Sequence, residues 1–400
     1  MILFQERRTN NDMIKYIKYD IIYKISIYVY MPKEYNVIGE GSFGCAIKPS
    51  LPCSNKNITY KRKISKVMTA DNAVKEMEEY KNISDIDKEQ KYYLGVPIKC
   101  HVKKNKKTIK AIKKCKNLKS NLKKSVKDSM PYLDLLVMKD GGDNLKTLAN
   151  KIESMKINEK NQQKVKKIWI QMMKLFDGII AFQKYGFAHH DLKPQNIVYS
   201  SKLGLNFIDF GHMRNMMDEK KKAINSDNWI YDGPFWNYPL EIEFLNKDAF
   251  MKFEKKTDDE KSAIFMKRIS DLSDKNDKKK DNDVFIKAFS NFIDYVIYNR
   301  NDSDKGLITY KYLMAYYEMM IEQIKSENYE LFLDKSIKTI DVYGLGMTMF
   351  YLLNCSRKFL KEKTIEQMES CFFNMTTPNL FERYTIMESR SHFEKIIEDI

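Results

Sequence analysis

The sequence predicts an α+β protein with a small β-rich N-terminal part and a larger, mainly helical C-terminal part. Two runs rich in β-forming residues, 35–48 and 58–68, stand near the start of the chain. A long amphipathic run over 164–185 ends at Gly186, a good helix C-cap, and helical patterns dominate from residue 285 onward. With 400 residues, 43% of them hydrophobic, the chain is long enough for one two-lobed enzyme or two small domains.

Composition and turn residues divide the chain into three segments. Residues 1–31 form an N-terminal extension, 32–140 the β-rich part and 141–400 the helical part. The β-rich part contains a Lys-rich insertion at about 101–128. The helical part contains a long insertion at about 245–335, which includes a charged low-complexity tract.

Further elements follow from periodicity and flanking residues. A helix is predicted over 71–83 with Asp71 as its N-cap, and an apolar strand over 133–138. Two short strands, 196–199 and 205–208, are joined by a tight turn. These elements place the motifs described below at strand ends and in loops.

The net charge of +16 belongs largely to one segment. Between His101 and Lys127 the chain has twelve lysines and no acidic residue. We interpret this segment as a solvated insertion, with the binding of an acidic partner, nucleic acid or a membrane surface as the alternatives. Nucleic acid is not expected as a partner, because no aromatic residues that could stack on bases are interleaved with the lysines.

The cysteines and the hydropathy pattern bear on cellular location. The six cysteines form no C-x-x-C pair and no zinc-binding spacing, which is typical of reduced thiols in a cytosolic protein rather than of a disulfide framework. The apolar stretch 13–30 carries four charged residues and is therefore too polar for a transmembrane helix. We expect a cytoplasmic protein without a transmembrane segment.

A glycine-rich motif follows the first predicted strand. It reads Gly39-Glu40-Gly41-Ser42-Phe43-Gly44. Glycines lack a Cβ, so the backbone N–H groups of such a loop can approach phosphate oxygens. A dinucleotide-binding site would continue into a helix, whereas here a strand-like stretch, 45–48, follows. The motif therefore predicts a phosphate-binding loop between two strands.

The segment from His189 to Asn196 has the residue types of a phosphoryl-transfer site. The carboxylate of Asp191 can orient an attacking hydroxyl and accept its proton. Lys193 can neutralise charge on the transferring phosphoryl group. Asn196 offers an amide oxygen, a ligand that suits Mg²⁺.

Asp209-Phe210-Gly211 follows the next predicted strand, 13 residues after Asn196. A carboxylate at this strand end can hold a metal ion that bridges nucleotide phosphates. Together, these motifs resemble the protein kinase superfamily, whose catalytic loop appears here as HHDLKPQN and whose D-F-G metal motif is intact. The resemblance implies a bilobal protein kinase fold with a small antiparallel sheet and one helix in the N-lobe, and with ATP and Mg²⁺ in the cleft.

The resemblance also implies a lysine on the third strand that binds phosphates and a glutamate on the next helix that pairs with it. Lys66 and Glu76 are our assignments. The alternatives are Lys61 and Lys63 for the lysine, and Glu78 and Glu79 for the glutamate.

The strand 135–138 resembles the segment that contacts adenine, with either Leu136 or Met138 as the gatekeeper residue at the back of the pocket. The complete set of residues assigned to nucleotide binding on this basis is Ile38, Gly39, Gly41, Ser42, Phe43, Gly44, Ala46, Lys66, Glu76, Met138 and Asp140.

Three later motifs resemble structural supports of the same family. Tyr238–Glu241 resembles the A-P-E element, and Arg383 the arginine that pairs with its glutamate. Asp341 resembles the aspartate that braces the backbone of the catalytic loop. Since Asp341 lies 100 positions after Glu241, far more than is usual in the family, a largely helical insertion must lie between them.

The histidines have different expected roles. His189 is expected to pack and to bond the backbone, and the scattered His101, His212 and His392 suggest no metal site. His190 replaces the arginine that commonly binds a phosphorylated activation loop. An imidazole binds phosphate poorly near pH 7, so we hypothesise that activity does not depend on activation-loop phosphorylation.

The Lys193-Pro194 pair resembles that of serine/threonine kinases. The expected function is therefore transfer of the γ-phosphate of ATP to serine or threonine of protein substrates. A pseudokinase scaffold and a kinase-like enzyme acting on a small molecule are the alternatives. The Lys- and Asn-rich style with insertions resembles kinases of large DNA viruses, for which the location would be the host cytoplasm or the virion.

Overall fold

The computed structural model describes residues 34–41, 44–122, 124–225, 238–273 and 284–400. The chain divides into two compact units. Of the described residues, the first unit comprises those up to Met77 together with Val96–Asp140, and the second comprises those of Glu78–Gly95 and Gly141–Ile400.

The first unit is built on a five-stranded antiparallel sheet in which the first three strands of the chain lie side by side and the fifth lies between the third and the fourth. A helix follows the third strand and continues past the boundary between the units. The bounds are β1 (Asn36–Glu40), β2 (Gly44–Lys48), β3 (Lys63–Thr69), α1 (Ala70–Ile86), β4 (Ile98–His101), α2 (Lys106–Ile112), α3 (Lys116–Asn121), α4 (Val126–Ser129), a 3-10 turn (Met130–Tyr132) and β5 (Leu133–Lys139).

The register of this sheet aligns three predicted site positions. Ala46 is directly opposite Lys66, which in turn is directly opposite Leu136. Directly paired residues share a face of the sheet, so all three side chains project to the same side. The opposite side is the apolar core of the unit and includes Cys45, Ile47, Val67, Leu135 and Val137.

Element boundaries differ from the sequence prediction in three places. Strand β3 begins at Lys63 rather than at residue 58. Helix α1 begins at Ala70, and the Thr69 hydroxyl accepts a hydrogen bond from Asn72 N at 3.4 Å, so Asp71 lies in the first turn and is not the N-cap. The run 164–185 forms two consecutive helices instead of one.

The Lys-rich insertion is folded rather than merely solvated. Its three short helices bury an apolar side in the core of the first unit, including Ala111, Ile112, Leu118 and Val126. The Asn105 side chain caps α2 by accepting from Thr108 N at 2.9 Å. The described lysines of 103–127 are exposed.

The prediction of reduced thiols is wrong for four of the six cysteines. Cys45 is bonded to Cys115, and Cys53 to Cys100. The pairing joins residues 70 and 47 positions apart, which no local spacing rule could reveal. Because disulfides persist mainly in oxidising environments, the cysteines no longer support a cytosolic location.

The second unit is mainly helical and contains two small sheets, one with the strand order Asp143–Asn144, Ile197–Ser200, Gly204–Phe207 and one pairing Arg214–Asn215 with Phe187–Ala188. The bounds are β6 (Asp143–Asn144), α5 (Leu145–Glu153), α6 (Glu159–Gln171), α7 (Met173–Lys184), β7 (Phe187–Ala188), a 3-10 turn (Pro194–Asn196), β8 (Ile197–Ser200), β9 (Gly204–Phe207), β10 (Arg214–Asn215), α8 (Met216–Asn225), a 3-10 helix (Leu240–Phe244), α9 (Lys247–Glu254), α10 (Asp258–Ser273), α11 (Val284–Val296), α12 (Asp302–Glu318), a π-helix (Met319–Gln323), a 3-10 turn (Ser326–Asn328), α13 (Tyr329–Ser356), a 3-10 turn (Arg357–Phe359), α14 (Glu362–Thr376) and α15 (Ile386–Glu398).

Helix α13 is the centre of this unit, because nearly all of its second half is buried. It packs against α14, α5 and α11. Buried aromatic side chains fill the space around it; Trp169 stacks on Phe372 and donates to the Ser356 hydroxyl at 3.2 Å. A small antiparallel sheet and a larger helical part are the architecture that the sequence predicted.

The long insertion is helical, as expected, and is part of the core of the second unit. Phe292 of α11 stacks on Tyr312 of α12 at a ring distance of 3.6 Å. The Tyr312 hydroxyl bonds to the Tyr343 hydroxyl at 2.8 Å, which joins the insertion to α13. The part of the charged tract over 274–283 lies outside the described residues.

Among the helices of the described ranges, none combines the length and the apolar character needed to cross a bilayer.

Candidate active site

The backbone of the catalytic loop is held by one buried carboxylate. Asp341 of α13 accepts from the N–H of His189 at 2.7 Å and from the N–H of His190 at 2.9 Å. Burial raises the pKa of Asp341, whereas both hydrogen bonds and the nearby His189 favour its ionised form. The bracing role predicted for Asp341 is confirmed.

Asp191 lies at the centre of the loop and is 3% exposed. Its carboxylate accepts from Lys193 Nζ at 2.8 Å and from Asn196 Nδ2 at 2.6 Å. Asn196 also donates to the carbonyl of Asp191 at 3.0 Å. The structure thus brings together the three predicted catalytic-loop residues around one carboxylate of fixed orientation.

His189 has the structural role that the sequence suggested. The Asp191 N–H donates to its Nδ1 at 3.3 Å, so Nε2 carries the proton and donates to the carbonyl of Ile208 at 3.2 Å. Its ring contacts Phe210, which also meets Tyr80 edge-on at a ring distance of 5.8 Å. These contacts fix the loop against the residue that follows Asp209.

Asp209 follows strand β9 at a turn with left-handed backbone, φ +65°. Aspartate tolerates this conformation better than most residues do. The neighbouring Ile208 donates its N–H to the carbonyl of Asn196 at 2.9 Å, which ties this turn to the catalytic loop. The two residues predicted as metal ligands therefore belong to segments that are hydrogen-bonded to each other.

The donor set at Asn196 and Asp209 fits Mg²⁺. Because the amide nitrogen of Asn196 donates to Asp191, its oxygen Oδ1 is the atom that can bind a cation. The described residues contain no cluster of three or more His, Cys, Asp or Glu side chains that could bind a metal unaided. Mg²⁺ needs no such cluster, since it is commonly held by one or two protein groups, substrate phosphates and water.

His212 is the residue near this site that the sequence interpretation missed. Its side chain is half-buried, and this burial lowers the pKa of His212. The nearby carboxylates of Asp191 and Asp209 shift the pKa in the opposite direction. In the sequence, its position directly after Asp209-Phe210-Gly211 indicates that it lies near the site. The site therefore contains an imidazole in addition to the predicted groups.

In the first unit, the glycine-rich motif forms the turn between β1 and β2. The Gly41 N–H donates to the carbonyl of Gly44 at 2.9 Å. A Cβ on Gly44 would lie 2.9 Å from Met68 Cε and 3.1 Å from Lys66 Cε, so a larger residue here would displace the ends of these two side chains. Ser42 and Phe43, both predicted nucleotide contacts, lie outside the described residues.

Lys66 forms the expected ion pair. Its Nζ lies 2.5 Å from Glu76 Oε2, and both side chains are largely buried. Of the alternatives, Lys61 precedes the strand and Glu78 is exposed. The pairing of Lys66 with Glu76 is confirmed, and its role toward nucleotide phosphates remains a prediction.

The other residues assigned to nucleotide binding are placed as follows. Leu136 is buried beside Met68 and opposite Lys66, whereas Met138 is half-buried opposite Ile64; the register thus favours Leu136 as gatekeeper. Gly39 pairs with Ala46 in the β1–β2 ladder, and Ile38 is exposed at the irregularity beside it. Asp140 forms an ion pair with Lys48 at 2.6 Å.

The buried pair predicted between Glu241 and Arg383 is present. Arg383 Nη2 donates to Glu241 Oε2 at 2.9 Å, and Nη1 donates to Oε1. Neither side chain is exposed. Arg383 also lies over the ring of Tyr343. Because the Tyr343 hydroxyl bonds to Tyr312 of the insertion, Tyr343 contacts both the buried pair and the insertion.

Residues 148–230 match the family model of the ABC1 atypical kinase-like domain. This segment contains the catalytic loop and Asp209 and is about a fifth of the chain. No curated protein matches the chain. The chain is therefore similar to a kinase-like domain over its catalytic segment, which is compatible with a kinase-like phosphotransferase or a pseudokinase.

Proposed function

We propose that the chain is an ATP-dependent protein kinase that phosphorylates serine and threonine hydroxyls. This proposal rests on the arrangement of side chains around Asp191. Its carboxylate accepts from both Lys193 and Asn196, on a loop whose backbone is braced by Asp341. This is the constellation needed to orient a hydroxyl beside a phosphoryl group.

In this mechanism Asp191 orients the acceptor hydroxyl and receives its proton. Lys193, bonded to Asp191, neutralises negative charge on the transferring phosphoryl group. Phosphoryl transfer has a loose transition state, so positioning and charge neutralisation contribute most of the catalysis. Neither residue has to form a covalent intermediate.

Phosphate binding is assigned to residues of the first unit, and metal binding to residues of the second. Lys66, oriented by Glu76, contacts the α- and β-phosphates, and the backbone of the glycine-rich turn contacts the others. Asn196 and Asp209 would hold Mg²⁺, which when bound neutralises charge on the nucleotide phosphates.

The acceptor class rests on the Lys193-Pro194 pair, which resembles serine/threonine kinases. The matched family is described as an atypical kinase-like domain without a named acceptor, so transfer to the hydroxyl of a small molecule is the second candidate. A pseudokinase is disfavoured, since Lys66, Asp191, Asn196 and Asp209 are all retained.

The acceptor class is tested with γ-labelled ATP, Mg²⁺, casein and a basic protein, followed by phosphoamino-acid analysis. Label on serine or threonine that disappears in a Lys66→Met variant is the expected result. Label on tyrosine would overturn the assigned acceptor class. A parallel reaction uses a metabolite extract as the acceptor. Label that appears only on small molecules of this extract would favour the second candidate.

A further inference from the structure

Four consecutive residues of the Lys-rich insertion, Lys114–Asn117, contact the hairpin that carries the glycine-rich turn. We call these residues the strap. Its first member binds at the start of the hairpin: Lys114 Nζ donates to Glu34 Oε1 at 2.8 Å and to the carbonyl of Tyr35 at 3.1 Å. The insertion is therefore fastened to the strand that leads into the turn.

The strap also binds Glu40, the residue between Gly39 and Gly41. The Lys116 N–H donates to both oxygens of the Glu40 carboxylate, at 3.0 and 3.1 Å. The Asn117 N–H donates to Oε2 at 3.1 Å. Hydrogen bonds from N–H groups to a carboxylate are among the stronger ones in proteins, so this contact restrains the end of β1.

The other side of the turn is fastened covalently. Cys115 of the strap is bonded to Cys45, the residue directly after Gly44. Glu40 and Cys45 are cross-strand partners in the β1–β2 ladder. Both strand ends that flank the glycine-rich turn are therefore attached to adjacent residues of one short segment.

This arrangement lowers the entropic cost of ordering a glycine-rich loop on a ligand. Glycine has more backbone freedom to lose than any other residue, so ordering such a loop on a ligand is unfavourable. Restraining both ends beforehand lowers that cost and improves affinity without adding a ligand contact. The Cys45 side chain is on the core face, opposite to the face of Ala46, so it restrains the turn from behind.

We propose that the strap positions the glycine-rich turn for the phosphates of the nucleotide, with Glu40 as a positioning residue and the Cys45–Cys115 bond as a redox-sensitive fastening. A dithiol would reduce this bond to two thiols and itself be oxidised to a disulfide. This inference rests on the proposed function, because it assumes that the turn binds nucleotide.

The test measures the dissociation constant for ATP with Mg²⁺ in the full chain. Glu40→Ala, and separately the double change Cys45→Ser with Cys115→Ser, are expected to weaken binding roughly tenfold. The matched control is Cys53→Ser with Cys100→Ser, which removes the other disulfide of the same unit away from the turn. The control is expected to lose stability and to keep its ATP affinity.

Glu40→Gln keeps one acceptor oxygen and should restore much of the affinity lost in Glu40→Ala. Equal weakening by both disulfide changes would overturn the inference, because it would indicate a general loss of stability. Unchanged affinity in Glu40→Ala would overturn it as well.

Hydrogen exchange of residues 39–47 without nucleotide separates this inference from the proposed function. Faster exchange in the strap variants than in the control variant supports the strap even for a chain that binds no ATP, in which case the proposed function alone fails. Equal exchange in all variants would contradict the strap even where ATP binds to the wild type.

Discussion

At the scale of single residues, the two histidines before Asp191 have different tasks. His189 uses both ring nitrogens to join Asp191 and Ile208. His190 is buried, has left-handed backbone (φ +64°) and meets the ring of Tyr238 edge-on. Burial, with Arg214 nearby as the second cause, lowers the pKa of His190 to about 3.

A neutral imidazole at this position fits the hypothesis that activity does not need a phosphorylated activation loop. An enzyme that lost most of its activity on phosphatase treatment would refute this hypothesis.

The buried His190 should make stability depend on pH. The ordinary pKa of 6.5 applies to the unfolded chain, and the folded pKa is about 3. Between these values the unfolded state binds a proton that the folded state does not, so stability falls as the pH falls below 6.5. From pH 6.5 to 5 the loss due to His190 should be about 2 kcal/mol.

His190→Asn removes the titrating group and keeps a residue that tolerates left-handed backbone. Urea unfolding at several pH values should show a flatter pH dependence for this variant than for the wild type. Parallel pH profiles would mean that folding does not lower the pKa of His190.

At the scale of secondary-structure elements, the insertion reaches the catalytic loop. Gln195 Nε2 donates to the hydroxyl of Tyr295 on α11 at 3.2 Å. Helix α11 is held in turn by Asn354 of α13, which donates to the carbonyls of Tyr295 and Val296 at 3.2 and 3.0 Å. The insertion thus supports the loop that carries Asp191.

Removing this hydroxyl should affect turnover more than nucleotide binding. Tyr295→Phe takes away the acceptor for Gln195 and keeps the packing of the ring, so we expect a several-fold lower kcat with little change in the dissociation constant for ATP. Tyr298→Phe, whose hydroxyl bonds to Glu153 instead, is the matched control. Equal kcat values for the two variants would show that the insertion does not position the loop.

The sequence predicted most elements because strand alternation, helix periodicity and the glycine-rich motif are local signals. It missed the cap of α1 by two residues, since Thr69 and Asp71 are both good capping residues. It misjudged the cysteines because both bonds join positions far apart in the sequence, and only the fold brings Cys115 beside Cys45 and Cys100 beside Cys53. The catalytic-loop residues were predictable because their chemistry requires a fixed order and spacing.

At the scale of the whole molecule, each unit can be considered by itself. In the second unit, the Glu241–Arg383 pair joins segments 142 positions apart and is fully buried. Ser336 also donates to Glu241, at 3.3 Å. The pairing of Glu241 with Arg383 could be predicted from the family resemblance. The link from the insertion to this pair through Tyr312 and Tyr343 could not be predicted, because the insertion lies outside the family pattern.

Breaking the pair on one side should be costly. Arg383→Met leaves the Glu241 carboxylate buried without its partner, and the free energy of unfolding should fall by about 3–5 kcal/mol. Changing both residues, Arg383→Met with Glu241→Leu, removes the buried charge and should recover part of that loss. Denaturant unfolding measures both; a loss below about 1 kcal/mol in the single variant would be inconsistent with a buried, ionised pair.

The catalytic role of Asp191 is tested by comparing phosphoryl transfer by Asp191→Asn with that of the wild type, with ATP affinity measured on the same samples. Asparagine keeps the shape of the side chain and loses the proton acceptor. We predict a kcat lower by roughly 10²- to 10⁴-fold, with the ATP dissociation constant unchanged. Transfer at the wild-type rate by Asp191→Asn would contradict the assignment of Asp191 as the catalytic base.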